Sequence, residues 1–226
     1  MNYARQANLK AGAVKGVMGY ERMRLLQNIG TDRVIDLVLP KLKTGFQLDV
    51  VCSSFSLFAF ADMQAKLNDL KLAQLVLPAS GSDLGFLGGD ADRASRNKLQ
   101  SRWLAKRCAE WVCNKAEIRL AKGSVPQGTA VIRDAGGNPQ QVVMGSFGLT
   151  TAGLGITPGN PLNLIQASDT ADEAAMLSQW FDMQWNSLPP DSEAKRAFVD
   201  ALDGLSASSD PFSIYSLILV GGADIP

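Results

Sequence analysis

The stretch VVMGSFGLTTAGLG at residues 142–155 decides the fold of this chain. It begins as an apolar run, reaches Gly145 and Ser146, and continues with small residues that are typical of a helix start. The pattern predicts a buried strand that ends in a sharp turn, where glycine permits unusual dihedral angles. We expect Ser146 to cap the following helix, whose first backbone N–H groups could bind an anion.

The segment before this stretch predicts the other half of a β-hairpin. GTAVIRD at 128–134 alternates as a strand, Ala-Gly-Gly-Asn-Pro at 135–139 is a turn, and QQVVMGS at 140–146 is the returning strand. Further strands are predicted at 46–52, 72–77, 116–121 and 162–167, and helices at 31–42, 57–70, 93–114, 169–185, 191–203 and 211–220. This order predicts an α/β fold, a mixed β-sheet with helices on both faces.

The composition is that of an ordinary globular protein. Of 226 residues, 46% are hydrophobic and 19% charged, and the net charge of zero excludes a strongly basic overall footprint. No stretch approaches the roughly 20 apolar residues of a membrane span, and the N-terminus has no apolar signal core. The three cysteines form no paired framework. We therefore expect a soluble protein of the cytoplasm with unpaired thiols at Cys52, Cys108 and Cys113.

The chain contains no histidine. This removes the commonest general base and the commonest metal ligand in proteins. It also excludes every Ser/His/Asp or Cys/His arrangement for nucleophilic catalysis. GFLGGD at 85–90 lacks the lysine and the spacing of a phosphate-binding loop, so we predict no nucleotide or other cofactor.

With GSFGLTTAGL in this order of elements, the chain resembles the phospholipase D-like (HKD) superfamily over about residues 30–187. The family signature is a strand carrying HxK, a turn, and a strand ending in GSxN, often followed by TxxGL. Here GTAVIRD stands at the HxK strand, and Gly145-Ser146-Phe147-Gly148 stands at GSxN. DVVCSSFSLFAF at 49–60 is similar to the first strand of the family and the turn after it. The resemblance implies a phospholipase D-like mixed sheet.

The resemblance also implies which catalytic positions are lost. The family chemistry uses two histidines, one from each half-site, with lysines and asparagines that hold the phosphate. The histidine position falls on Gly128 or Thr129, and the lysine position falls on Ala130 or Val131. The asparagine falls on Gly148, so only Gly145 and Ser146 of the motif survive. A homodimer would repeat the same absences, and we predict that the chain is not an HKD-type enzyme and has no catalytic residues.

A closer resemblance is to the single-copy module that precedes the motor of some bacterial Swi/Snf-type, ATP-dependent helicases. WFDMQWN at 180–186 and DPFSIYSLIL at 210–219 are similar to the exit helix and linker of that arrangement. Because the chain stops at Pro226 without a terminal motif, we expect a longer parent protein. The predicted organisation is an arm at 1–30, a phospholipase D-like domain at 31–188, and a helical extension at 189–226 leading to a downstream helicase domain.

A basic segment is the second functional candidate. Residues 93–122 hold nine basic and two acidic side chains, a net charge of +7. Five of the basic residues crowd into three helical turns around Trp103, which predicts a helix that contacts DNA phosphates. The ordinary alternative is a solvated helix face. The candidates for nucleic-acid binding are Arg96, Lys98, Arg102, Lys106 and Arg107.

The C-terminal part has the opposite charge. From residue 169 onward, ten acidic residues accompany Lys195 and Arg196, a net charge of −8. Such a surface is either simply solvated or docks a basic partner, such as the motor domain or a second subunit. The four tryptophans are predicted to be core or interface anchors rather than base-stacking platforms. They are Trp103, Trp111, Trp180 and Trp185.

These features leave three functional hypotheses. The first is a non-catalytic accessory domain that contacts or positions DNA. The second is a module that only dimerises or docks its neighbour, with the former active-site face as the interface. The third is a metal-dependent nuclease built on carboxylates such as Asp49, Asp134 and Asp169, although their spacing matches no recognisable metal site and no metal is predicted.

Overall fold

The computed structural model describes residues 24–79, 85–92 and 101–207. Within these ranges, seven strands form one mixed sheet and five α-helices pack on it. The strands are β1 Arg24–Leu26, β2 Gln47–Val51, β3 Leu72–Pro78, β4 Ala116–Ala121, β5 Gly128–Arg133, β6 Pro139–Gly145 and β7 Ile165–Ala167. The helices are α1 Val34–Lys41, α2 Leu57–Asn68, α3 Ser101–Lys115, α4 Ala171–Ser187 and α5 Ser192–Ala207.

The sheet has the order β1-β7-β6-β5-β2-β3-β4. β2, β3 and β4 are parallel neighbours, joined by crossovers that contain α2 and α3. β5 lies antiparallel to β2 and forms the predicted hairpin with β6. β7 and β1 extend the sheet in antiparallel register to the opposite edge. The sheet is therefore parallel on one side and antiparallel on the other.

Side-chain alternation along the strands divides the core between the two faces of the sheet. On one face, residues such as Leu48 and Val50 pack beneath α1, α2, α3 and α5. On the other face, Val51, Val131 and their neighbours pack beneath α4 through Phe181 and other apolar side chains. The predicted α/β fold, a mixed sheet with helices on both faces, is confirmed.

Local polar contacts fix where several helices begin. The Ser56 hydroxyl accepts a hydrogen bond from the N–H of Phe58 at 3.2 Å at the start of α2. The Thr170 hydroxyl accepts one from the N–H of Glu173 at 3.2 Å, and the Glu173 carboxylate accepts one from the N–H of Asp169 at 2.8 Å. The arrangement is similar to a capping box, except that the Glu173 carboxylate bonds the residue before the N-cap, and the N-cap hydroxyl satisfies a backbone donor that has no partner within the helix.

The structure differs from the predicted elements in three ways. β1 was not predicted, because a three-residue strand has no local pattern and exists here through its pairing with β7. The strand predicted at 162–167 shortens to β7. The helix predicted after Ser146 is wrong, as the site below explains. Residues 93–100 and the helix predicted at 211–220 lie outside the described ranges.

Two segments that were assigned outside the central domain contribute to this sheet and core. β1 belongs to the predicted arm, and α5 belongs to the predicted C-terminal extension. α5 buries Phe198 and Leu202 in the same core as β2 and α2. The boundaries at residues 31 and 188 stay predictions, but the fold described here spans both.

Candidate functional site

The turn after β6 requires glycine. Gly145 has a φ of 139°, and a Cβ at this position would lie 2.1 Å from the carbonyl oxygen of Leu164. The N–H of Ser146 donates to that same oxygen at 2.9 Å, which holds the turn against the chain entering β7. The Ser146 side chain is exposed. The predicted sharp turn is therefore present, and packing of backbone on backbone determines its shape.

No helix follows this turn within residues 147–164, so the expected helix cap at Ser146 is wrong, and the helix start on which an anion site there was based is absent. The chain makes a series of turns instead. The N–H groups of Ile156 and Thr157 both donate to the carbonyl of Thr151, and Asn28 donates from its side chain to the carbonyls of Ala152 and Gly153. These bonds occupy carbonyl groups that a continuing helix would use.

The position of the first family histidine is closed in both registers. At Gly128, a Cβ would lie 2.2 Å from the backbone carbonyl oxygen of Phe147. At Thr129, the side chain is buried on the α4 face of the sheet, and its hydroxyl has no hydrogen-bond partner. Neither position holds a side chain that reaches solvent.

The other two matched positions are closed as well. Ala130 and Val131 are buried on opposite faces of the sheet, Ala130 in the core under four helices and Val131 under α4. A Cβ at Gly148 would lie 2.3 Å from the hydroxyl oxygen of Ser54. Ser54 also accepts a backbone hydrogen bond from Leu149 at 3.1 Å, so this contact is part of the fold. Sequence reasoning did not find Ser54, because it meets Gly148 only in the folded chain.

A buried ion pair crosses β2 and β5 beneath α4. The Arg133 guanidinium donates to Asp49 and to Asp182, at 2.6 Å in each case. Gln47 donates to the other oxygen of Asp49 at 2.6 Å. Burial raises the pKa of Asp49, while the contacts with Arg133 and Gln47 oppose that shift. Asp49 and Arg133 face the interior, whereas Asp182 is half-exposed, and all three have partners within this chain.

Two of the three carboxylates of the nuclease hypothesis have structural partners within this chain. Asp49 is fully buried in this ion pair. Asp134 accepts bonds from the N–H groups of Gly136 and Asn138 in the hairpin turn, and these bonds lower its pKa. Asp169 takes part at the start of α4 through its backbone N–H, which donates to Glu173, and not through its carboxylate. The described residues contain no cluster of three or more metal-ligating side chains that could hold an ion.

Helix α3 carries the described part of the predicted basic segment. Lys106 and Arg107 are exposed, whereas Arg102 is half-buried and its Nη2 atom is enclosed without a hydrogen-bond partner. Arg107 forms an ion pair with Glu110 at 3.3 Å. Arg96 and Lys98 lie outside the described ranges.

Two other cations of the basic run are used within the fold. Lys115 donates from Nζ to the carbonyl of Leu70 at 2.8 Å. Arg119 donates to the carbonyls of Trp185 and Leu188, and its guanidinium carbon lies 4.2 Å from the centre of a ring of Trp185. The charge of +7 counted along the sequence therefore overstates what this region presents to a ligand.

The tryptophans divide between core and surface. Trp111 and Trp185 are buried, as predicted for core anchors. Trp103 is 54% exposed, so a place in the core is wrong for this residue. The guanidinium carbon of Arg107 lies 5.4 Å from the centre of a Trp103 ring, one helical turn away. The exposed face of α3 thus presents an indole with cations beside it, and we name Trp103, Lys106 and Arg107 the α3 face.

An apolar corner lies at the β1–β7 edge of the sheet. Leu162 and Leu164 precede β7, and they are 88% and 59% exposed. Leu25 in β1 and Ile29 just after it are 60% and 59% exposed. Because β1 and β7 are antiparallel, the end of β1 lies beside the start of β7, and the N–H of Ser146 donates to the carbonyl of Leu164 at this edge of the sheet.

The three cysteines are free thiols, and two of them are buried. Cys52 and Cys108 are buried free thiols, and burial raises the pKa of Cys52 to about 12, so this thiol stays protonated and inert. Cys113 is an exposed free thiol.

In the ranges that the structure describes, no helix has both the length and the hydropathy to cross a membrane.

Comparisons with known proteins find similarity at the level of solved structures. No family model matches the chain, and no curated protein matches it by sequence. Nuc from Salmonella typhimurium, a phospholipase D family member, is 15% identical, with 68% of this chain and 87% of that chain covered and a TM-score of 0.37. NucT from Helicobacter pylori is 12% identical, with 75% and 97% covered and a TM-score of 0.42.

A third solved structure to which the chain is similar is TrmBL2, an archaeal chromatin protein described with a novel mode of DNA binding. It is 12% identical, with 77% of this chain and 56% of that chain covered and a TM-score of 0.40. No residue of this chain takes a role from these three proteins.

Proposed function

We propose that this chain is a non-catalytic, phospholipase D-like accessory domain that contacts DNA through the α3 face. The single observation that carries the proposal is the exposed side chains of Trp103, Lys106 and Arg107 on one side of α3. The opposite side of the helix, with Leu104 and Val112 among others, is committed to the core. The α3 face is therefore held on a packed element and is available to a partner.

Two observations support the absence of family catalysis. The chain has no histidine, so the group that attacks phosphorus and the group that protonates the leaving oxygen are both missing. The backbone oxygen of Phe147 and the hydroxyl of Ser54 occupy the space that side chains at Gly128 and Gly148 would need. The former active-site region has become a closed packing region of the fold.

Phosphate contact is the chemistry that the α3 cations support. Within the described residues, Lys106 has no ion-pair partner, and Arg107 keeps 48% of its side chain exposed beside Glu110. Exposed cations bind the DNA backbone by releasing condensed counterions, which makes the affinity depend steeply on salt. The wider proposal is that this domain lies next to a helicase motor and forms a dimer.

The test measures the fluorescence anisotropy of labelled DNA, duplex and single-stranded, against this chain at several salt concentrations. We expect Lys106→Gln to reduce the slope of log affinity against log salt by about 1 and to weaken binding about fivefold at low salt. The matched control is Lys41→Gln, which removes an exposed lysine at the end of α1. Equal affinities and slopes for the two variants would contradict the assignment to α3.

A second candidate function is docking without nucleic acid, and the apolar corner favours it. Leu25, Ile29, Leu162 and Leu164 lie in or next to β1 and β7, and all four are exposed, as apolar side chains at protein interfaces are. Ser146 lies at the same corner, which fits reuse of the former active-site face. Sedimentation at increasing protein concentration tests a second copy as the partner. A constant monomer mass, together with salt-dependent DNA binding, would favour the first function.

A further inference from the structure

We infer that the α3 face selects single-stranded DNA over duplex, with Trp103 as the stacking platform for an unpaired base. This inference rests on the proposed function, because it assigns a substrate class to the same surface. It starts from the contrast between two tryptophans of one helix. Trp111 is 4% exposed and donates from its indole N–H to the carbonyl of Leu67 at 3.1 Å, whereas Trp103 is 54% exposed.

The indole of Trp103 is supported from its own helix. Arg107 lies one turn farther along α3, with its guanidinium carbon 5.4 Å from the centre of a Trp103 ring. Glu110 holds that guanidinium from the following turn at 3.3 Å. A cation near an indole attracts it electrostatically, so this row of side chains limits the orientations of the ring. More than half of Trp103 still remains accessible.

The charges beside Trp103 match a nucleic-acid backbone. Lys106 and Arg107 are exposed on the same side of α3, and Glu110 is the acidic residue that the structure places among them. A side chain with a free aromatic surface and cations within one turn reproduces the two parts of a single-strand site, a stacking platform and phosphate contacts. A solvated helix face would account for the exposed cations, but it would not account for the exposed indole.

Single-stranded DNA fits this combination better than duplex does. In a duplex the bases are paired and stacked on each other, so the α3 cations could contact phosphates while the indole found no free base. In a single strand every base has an accessible face, and stacking on an aromatic side chain strengthens binding without sequence preference. The indole therefore adds affinity for the single strand only.

The experiment compares three ligands of equal length with the full chain: oligothymidylate, an abasic oligonucleotide that keeps the phosphates, and a duplex. We expect Trp103→Ala to weaken oligothymidylate binding about tenfold, towards the abasic level, and to leave abasic and duplex binding unchanged. Trp103→Phe keeps an aromatic ring and should retain most of the affinity. Met183→Ala, at an exposed apolar residue of α4, is the matched control.

A second readout follows the indole directly. Stacking on a base should quench tryptophan emission when oligothymidylate binds wild-type protein, and Trp103→Phe should remove that quenching. The inference is overturned if Trp103→Ala leaves oligothymidylate binding unchanged or weakens all three ligands equally. Wild-type protein that binds none of the three would overturn the proposed function itself. Tighter binding of duplex than of single strand would overturn only the inference.

Discussion

Strand β5 matches the HxK strand, and α3 belongs to the predicted basic segment. Both carry an arginine, but the arginine of β5 is buried and the arginine of α3 is exposed. Every residue of β5 is buried, and Arg133 at its end keeps 10% of its side chain exposed between two carboxylates. Arg107 on α3 keeps 48% exposed and has one carboxylate partner. The region that resembles a catalytic motif is therefore closed, while the region with an ordinary charge run is open to ligands.

The largest expected effect comes from placing a histidine at Gly128, which matches the first position of the HxK pattern. Gly128→His should lower the free energy of unfolding by about 4 kcal/mol, because the backbone oxygen of Phe147 occupies the space of its Cβ. Urea unfolding measures the loss, and a fluorogenic phosphodiester should show no cleavage. Gly123→His is the matched control, since a Cβ at Gly123 meets nothing within 4 Å. Similar stability of the two variants would show that the position is open.

The next largest effect is the difference in unfolding free energy between variants of Arg133 and Arg107. Arg133→Met should lower the free energy of unfolding by about 3 kcal/mol near neutral pH, because it leaves the Asp49 charge buried without its cation. Arg107→Met is the matched control and should cost less than about 0.5 kcal/mol, as expected for an exposed pair. Urea unfolding of both variants measures the difference.

The pH dependence of the Arg133→Met variant identifies the cause of its instability. Burial raises the pKa of Asp49 above its ordinary value of 3.8. A raised pKa contributes stability that is fully present below 3.8 and is lost as the pH rises through the folded-state value. Without the guanidinium that pKa rises further, so the deficit of the variant should shrink as the pH falls towards 3.8. A deficit that is the same at every pH would assign the loss to packing.

Sequence patterns predicted the elements whose pattern is local. The alternation at 128–134 corresponds to β5, and the described part of the helix predicted at 93–114 corresponds to α3. Contacts between distant segments account for the failures. Asn28 binds carbonyls near residue 152 and helps to replace the expected helix with turns, and Lys115 and Arg119 are bound by carbonyls 45 and 69 positions away. A charge count along the chain could not distinguish these two cations from Lys106.

The smallest of these effects tests how firmly residue 148, which matches the asparagine of GSxN, is closed. Gly148→Ala should cost about 2 kcal/mol, because its Cβ would lie 2.3 Å from the Ser54 hydroxyl oxygen. The φ of Gly148 is not positive, so the contact, and not the backbone conformation, sets this cost. In a Ser54→Ala background the same substitution should cost less than about 1 kcal/mol, and a double-mutant cycle measures the difference.

If the costs of Gly148→Ala and Ser54→Ala simply add, this account is contradicted. The group that closes residue 148 would then be the Ser54 carbonyl, which lies 3.2 Å from the same Cβ. A strongly coupled cycle would mean that one hydroxyl closes the asparagine position, whereas backbone closes the histidine position at Gly128. The two matched positions would then differ in how easily a side chain could be introduced. A side chain could be placed at residue 148 after one change at Ser54, but at residue 128 only after the turn that contains Phe147 had moved.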